Sequence, residues 1–301
     1  MLVGAFELVE PLPELREPTL LLALQPWIDV GSVGSMALTY LEEAWGARPL
    51  GHLARPGRFY DFTRYRPTLY RRGRHREISV PNTYLRYVQG QGDTDWLLVH
   101  ALEPHSHGED FVDSLVKVMQ ELGVRQYCLI GSYYAPIPHT RPLLLTGMAA
   151  SDSTTARLRA VGVRESQYEG PTTIVALTTE EARLRGIDAM SALVQLPAYA
   201  QLERDYRGLY TLLTCLSSLF GFSLDLERLR LEGERQYATL DDQVKRDPRL
   251  HSWVEELERI YDAEVSSGAP DETPRLSPEL ERFLEEIERR WEGPQGPGPD
   301  A

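Results

Sequence analysis

Residues 96–131 read WLLVHALEPHSHGEDFVDSLVKVMQELGVRQYCLIG, and this stretch decides the fold. It opens on a short apolar run, Trp96 to Leu102, and closes on another, Gln126 to Gly131. Both are too short for a buried helix and have the length of a buried strand. Between them Phe111, Leu115, Val118 and Leu122 recur at helical spacing, and Gly123 supplies the stop. Strand, helix and strand in this order predict a βαβ unit with a parallel pair.

Working outward, Leu20-Leu21-Leu22-Ala23-Leu24 is a second buried-strand run, bounded by Pro18 and Pro26. A glycine-punctuated loop, WIDVGSVGSM, follows it, then helical spacing through MALTYLEEAWG with Gly46 as the stop. Further strands are expected at 143–146 and 172–177, with a helix near 153–161 between them. The apolar run at 191–196 fits either type. Alternation of strands and helices over the first 200 residues predicts an α/β sheet covered on both faces.

After Pro197 the pattern is helical. Helices are expected at 202–220, 225–245 and 248–265, the last with Trp253, Leu257, Ile260 and Tyr261 at helical spacing. The division is therefore an α/β core at 1–200, a helical subdomain at 201–265, a linker at 266–277, an amphipathic helix at 278–292 and a disordered tail at 293–301. On that amphipathic helix Leu280, Phe283, Leu284 and Ile287 share one side.

The 301 residues are 42% hydrophobic and 26% charged, ordinary for a globular protein. No run of about 18 apolar residues marks a membrane span. The N-terminus, MLVGAFELVEPLPEL, has no basic region and carries glutamates, which predicts a cytoplasmic chain. Cys128 and Cys215 lie in apolar stretches and read as buried free thiols. A net charge of −13, concentrated after Leu224, argues against a general nucleic-acid binder. One stretch, RYRPTLYRRGRHR at 64–76, is locally basic; alternation around Gly73 predicts a hairpin of solvated edge strands with arginines facing water.

Four places carry residues suited to chemistry. Gly31, Ser32 and Gly34 lie between a strand and a helix N-terminus, where anions bind. The loop lacks the lysine of a phosphate-binding loop, so the alternative is a tight turn that brings strand and helix together. His105 and His107 in EPHSHGED could share a metal, or belong to a solvated loop whose Glu109 and Asp110 favour the helix start; no second His/Cys cluster stands nearby, and no metal or cofactor is expected. His139 and Arg141 in PHTRP follow a strand and could hold an anionic group, or stiffen a loop in which Arg141 pairs with a carboxylate. Ser132 follows Gly131 at a strand end, with His139 close in sequence, but no nucleophile elbow surrounds it.

VGSVGSMAL, FYDFTRYRP, Pro81, Glu103-Pro104 and PHTRP follow one another in a set order. Tyr168-Glu169-Gly170-Pro171, Leu196-Pro197-Ala198-Tyr199 and Glu258-x-x-Tyr261-Asp262 complete it. Over roughly residues 15–265 the chain resembles the proteasome assembly chaperone type 2 family, in its bacterial branch. The resemblance implies a three-layer α/β/α core similar to purine nucleoside phosphorylases, a helical C-terminal extension and self-association into a homo-oligomer. Archaeal and eukaryotic relatives are similar to chaperones that bind proteasome subunits, and some archaeal ones end in a hydrophobic-tyrosine-any tripeptide. This chain ends Gly298-Pro299-Asp300-Ala301, a departure from that pattern. The leading expectation is a non-enzymatic, protein-binding or assembly-factor-like protein. The alternative is a nucleoside- or anion-binding enzyme with a pocket of Gly31, Ser32, Gly34, Ser132, His139 and Arg141.

Overall fold

The structure, a computed structural model, describes residues 1–73, 75–91, 93–267 and 282. Its strands are β1 (Leu2–Val3), β2 (Phe6–Leu8), β3 (Thr19–Gln25), β4 (Arg48–Leu53), β5 (Thr68–Arg72), β6 (His75–Ser79), β7 (Tyr84–Gln91), β8 (Thr94–Leu102), β9 (Gln126–Ala135), β10 (Leu145–Gly147), β11 (Val163–Glu165) and β12 (Asp188–Pro197). Its helices are α1 (Val33–Trp45), α2 (Gly108–Glu121), α3 (Asp152–Ala160), α4 (Ile174–Leu184), α5 (Tyr206–Phe220), α6 (Glu227–Arg246) and α7 (Pro248–Ser267).

Ten strands form one sheet in the order β1-β2-β4-β7-β8-β3-β9-β12-β10-β11. The central four, β8-β3-β9-β12, are mutually parallel, and antiparallel strands flank them on both sides. The chain is thus a mixed α/β protein. The predicted βαβ unit exists, but its strands are not neighbours: β3 lies between β8 and β9 and bonds to both. An apolar run such as Leu20–Leu24 is buried on both faces, and the middle of a parallel sheet is the place that covers both.

Side-chain alternation divides the core into two layers. Leu20, Leu22 and Leu24 of β3 pack with Leu97 and Val99 of β8 under α2 and α4. Leu21 and Ala23 face the other way and join Ile130, Val194 and the buried stripes of α1 and α5. On that second side α6 packs on α5 and α7 on α6, with Leu229, Tyr237 and Tyr261 joining the same layer.

One local expectation is corrected. Residues 172–177 do not form a strand; they enter α4. The β-branched run Thr172 to Val175 favours a strand, but Ile174, Val175, Thr178 and Ala182 are buried at helical spacing, and the Ile174 N–H donates to Glu103 Oε1 across 3.0 Å. The basic hairpin forms as expected, as β5 and β6, two exposed edge strands that make a separate two-stranded sheet. Ser266 and Ser267 extend α7 into the expected linker. The rest of that linker, the amphipathic helix at 278–292 apart from Arg282, and the tail at 293–301 lie outside the described residues.

Candidate functional site

The four parallel strands end on the same side of the sheet, β3 and β8 at Gln25 and Leu102 and β9 and β12 further out at Ala135 and Pro197. Ligand sites of open α/β sheets form at this carboxyl edge. All six candidate residues lie at this edge: Gly31, Ser32, His139 and Arg141 on loops that leave it, Gly34 in the first turn of α1 and Ser132 within β9, and the structure places each against protein.

The first loop after β3 is held by backbone geometry. Gly31 and Ser32 adopt left-handed conformations, with φ of 59° and 54°. A Cβ on Gly31 would approach Asp205 Cβ to 2.9 Å and Leu196 Cδ1 to 3.0 Å. Gly34 presses on the next strand, where a Cβ would lie 3.0 Å from Gly131 Cα. Both glycines therefore serve close packing of strand, turn and helix. Ser32 Oγ donates to Glu203 O (3.0 Å). Ser132 is fully buried and its hydroxyl donates to Val30 O (2.5 Å), so it is bonded to the backbone rather than to an imidazole.

PHTRP is gripped from three sides. The Tyr199 hydroxyl accepts from the His139 N–H at 2.7 Å and lies 2.7 Å from His139 Nδ1, to which it donates when the ring proton is on Nε2. Arg207 of α5 donates to His139 O (2.8 Å) and Arg141 O (3.2 Å), and its guanidinium lies 4.7 Å above the Tyr237 ring. From α7, Asp262 accepts two bonds from Arg141 at 2.8 and 2.7 Å, Glu258 accepts from Thr140 and Arg141, and Tyr261 donates to Pro142 O. The fork-on-fork pair of Arg141 and Asp262 fixes orientation as well as distance.

Asp205 ties the two groups together. Its N–H donates to Gly31 O (2.9 Å), Oδ1 accepts from the Gly208 N–H as the N-cap of α5 (2.7 Å), and Oδ2 accepts from the Tyr237 hydroxyl of α6 (2.8 Å). Burial raises the pKa of this carboxyl, partly offset by those two donors. His139 is displaced downward by burial, with Asp241 opposing the shift from 3.6 Å. Its remaining ring nitrogen, Nε2, has no hydrogen-bond partner.

A second cluster joins other landmarks at the same edge. Tyr65 donates to Glu103 O (3.3 Å) and packs against His105 with the rings tilted at 55° and their centroids 4.5 Å apart. His105 Nδ1 accepts from the Asp61 N–H (3.1 Å), and the His105 N–H donates to Phe59 O (2.8 Å). EPHSH thus anchors FYDFTRYRP to the sheet. Among the described residues no three His, Cys, Asp or Glu side chains come together as a metal-binding group. Cys128 and Cys215 are buried and unbridged, and burial pushes the Cys215 thiol up to about 11 and that of Cys128 further. Both are inert in character.

Three residues central to the corner were not singled out by sequence reading. Asp205 carried a readable signal, since an acidic residue just before a helical pattern is a cap. Arg207 and Tyr237 carried none, because each acts on a residue distant in sequence.

Two expected results follow for this corner. Folded His139 binds protons less readily than the unfolded chain does, so stability is complete above about pH 6.5 and falls below it as the unfolded state gains the extra proton. The difference in unfolding free energy between wild type and His139→Gln should shrink as pH drops from 7 to 5, read from urea titrations at each pH. Arg141→Lys keeps the charge and loses the fork, because an ammonium cannot match both carboxylate oxygens. Amides of α7 should exchange faster with solvent in this variant while the melting temperature stays nearly unchanged, since half-exposed ion pairs add little to global stability.

The corner and the sheet define a class: a mixed α/β protein whose strand-end loops are built to hold a C-terminal helical layer. The PAC2 family pattern matches residues 23–244, and the chain belongs to the PAC2 family. The proteasome-assembly chaperone homologue Rv2125 of Mycobacterium tuberculosis is 25% identical, with a TM-score of 0.70 over 78% of this chain and 99% of that one. A PAC2 family protein from Streptomyces avermitilis is 28% identical, also at 0.70, over 79% and 99%. PbaB of Pyrococcus furiosus, an archaeal proteasome activator, shares the fold at 15% identity and a TM-score of 0.62, over 79% and 97%. No curated protein matches the sequence. No described helix is long and apolar enough to cross a membrane.

Proposed function

We propose that the protein is a non-enzymatic, assembly-factor-like protein that binds other proteins from the cytoplasm and works as a homo-oligomer. The observation that carries this reading is the use made of PHTRP. All its polar side chains and three of its carbonyls are engaged by Tyr199, Arg207, Glu258, Tyr261 and Asp262, His139 Nε2 apart, so the loop fixes the position of an acidic helical layer. Gly31, Ser32, Gly34, Ser132, His139 and Arg141 act in this reading as the packed corner under that layer. Membership of PAC2 and likeness to a chaperone homologue support a protein partner. Four parallel strands with helices on both faces support a core similar to purine nucleoside phosphorylases.

The test mixes purified full-length protein with purified proteasome α- and β-subunits and follows complex formation by light scattering and cross-linking. A stoichiometric complex is expected, with cross-links on α6 or α7. The reading fails if no complex forms while nucleosides, nucleotides or phosphate raise the melting temperature in a way that His139→Ala and Arg141→Ala abolish.

A further inference from the structure

The β5–β6 hairpin stands outside the main sheet, and all ten of its residues are exposed. Its register puts Leu69 opposite Ile78 and Arg71 opposite Arg76 on one face. Leu69 is 58% and Ile78 65% exposed, an apolar pair with nothing over it among the described residues. Arg71 and Arg76 have no carboxylate partner among the described residues, and like charges directly opposite weaken a strand pair. An isolated two-stranded hairpin is marginal in water, so this face calls for an apolar, acidic cover.

The chain carries one segment of that chemistry. Residues 278–292 read PELERFLEEIERRWE, where Leu280, Phe283, Leu284, Ile287 and Trp291 recur at helical spacing. On such a helix Glu281 and Glu288 border one side of the apolar stripe, and Arg290, backed by Glu279 and Glu286, the other. The acidic Glu281/Glu288 border of an apolar stripe complements an apolar pair beside two arginines with no carboxylate partner among the described residues.

Chain length decides whose hairpin is reached. The end of α7 is fixed to β11, the far edge strand, by Glu264 and Arg164 (2.5 Å). The hairpin leaves the chain between β4 and β7, and β7 stands six strand spacings from β11, roughly 29 Å. The ten residues 268–277 span at most about 33–36 Å when fully extended. A hairpin on the same molecule would take up most of that length, whereas the hairpin of a second copy sets no such limit. From this we infer that segment 278–291 of one molecule docks on the Leu69–Ile78, Arg71–Arg76 face of a second copy. The inference rests on the self-association part of the reading above and specifies the contact that makes it.

The test uses the full chain. Sedimentation measures association, and hydrogen exchange reports on segment 278–291. In the associated wild type, exchange across 278–291 should be at least tenfold slower than in dilute monomer. Leu69→Ser/Ile78→Ser and Arg71→Glu/Arg76→Glu should each weaken association by tenfold or more without moving the melting temperature, because the hairpin lends no residue to the core. Glu281→Arg/Glu288→Arg should associate poorly alone and well when mixed with the Arg71→Glu/Arg76→Glu chain. Association unchanged by the hairpin variants overturns the inference. Slow exchange of 278–291 that persists in the monomer also overturns it, because the segment then docks on its own molecule. Neither result touches binding to proteasome subunits, which is measured separately.

Discussion

Asp205→Ala should cost about 3–5 kcal/mol of unfolding free energy, measured by urea denaturation, and should loosen α6 before the sheet. The carboxylate is 1% exposed and accepts from two buried donors, the Gly208 N–H and the Tyr237 hydroxyl. Alanine leaves both unpaired. A buried donor that loses its partner costs about 1–3 kcal/mol, and charge on the acceptor puts these bonds at the strong end. Asp205→Asn keeps an oxygen that can accept one of the two bonds, so its cost should fall between alanine and wild type. If Asp205→Ala melts with wild type, the corner is not the joint between core and helical layer.

Gly131→Ala is the second large effect. This glycine sits in β9 where a Cβ would collide with Ile28 O, a backbone atom tied into the turn by the Ser132 N–H bond of 3.0 Å. Neither atom can rotate away, so strand or turn must shift. A cost at or above about 3 kcal/mol is expected, the upper range for overpacking, with much of the protein recovered insoluble. Gly46→Ala provides the contrast. Gly46 ends α1 at a φ of 66° with no atom within 4 Å of its would-be Cβ. Its cost should be near 1 kcal/mol, that of the left-handed conformation alone. Equal losses at the two glycines would refute the contact argument.

Three of the four central strands were legible in the sequence because they are buried on both faces. Leu20 to Leu24, Trp96 to Leu102 and Gln126 to Gly131 announce themselves as unbroken apolar runs, and β3, β8 and β9 stand there. The flanking strands β2, β4 and β7 were not read. They alternate, as in the burial of Phe6 and Leu8 around exposed Glu7, over too few residues to stand out. Strand order was also beyond reach, because nothing local in Leu20–Leu24 says that it divides β8 from β9. Of the candidate site, the residues were legible but not their partners. Arg141 reads as a cation at a strand end, yet what it meets is Asp262, 121 residues later. Landmarks scattered from PHTRP to Glu258-x-x-Tyr261-Asp262 become one object only when α7 returns to the sheet.

The seat of β3 also sets a schedule for synthesis. This strand leaves the ribosome early, apolar on both sides, while the partner at its left-hand edge, β8, lies about 70 residues downstream. At about 5–20 residues per second the wait is roughly 4–14 s, and β9 adds to it. During that interval the nascent chain offers a sticky ribbon with both edges open, a natural client for the cell's own folding helpers. Slowing translation between codons 26 and 93 should therefore lower soluble yield more than the same pause placed after codon 200, once both edges are closed.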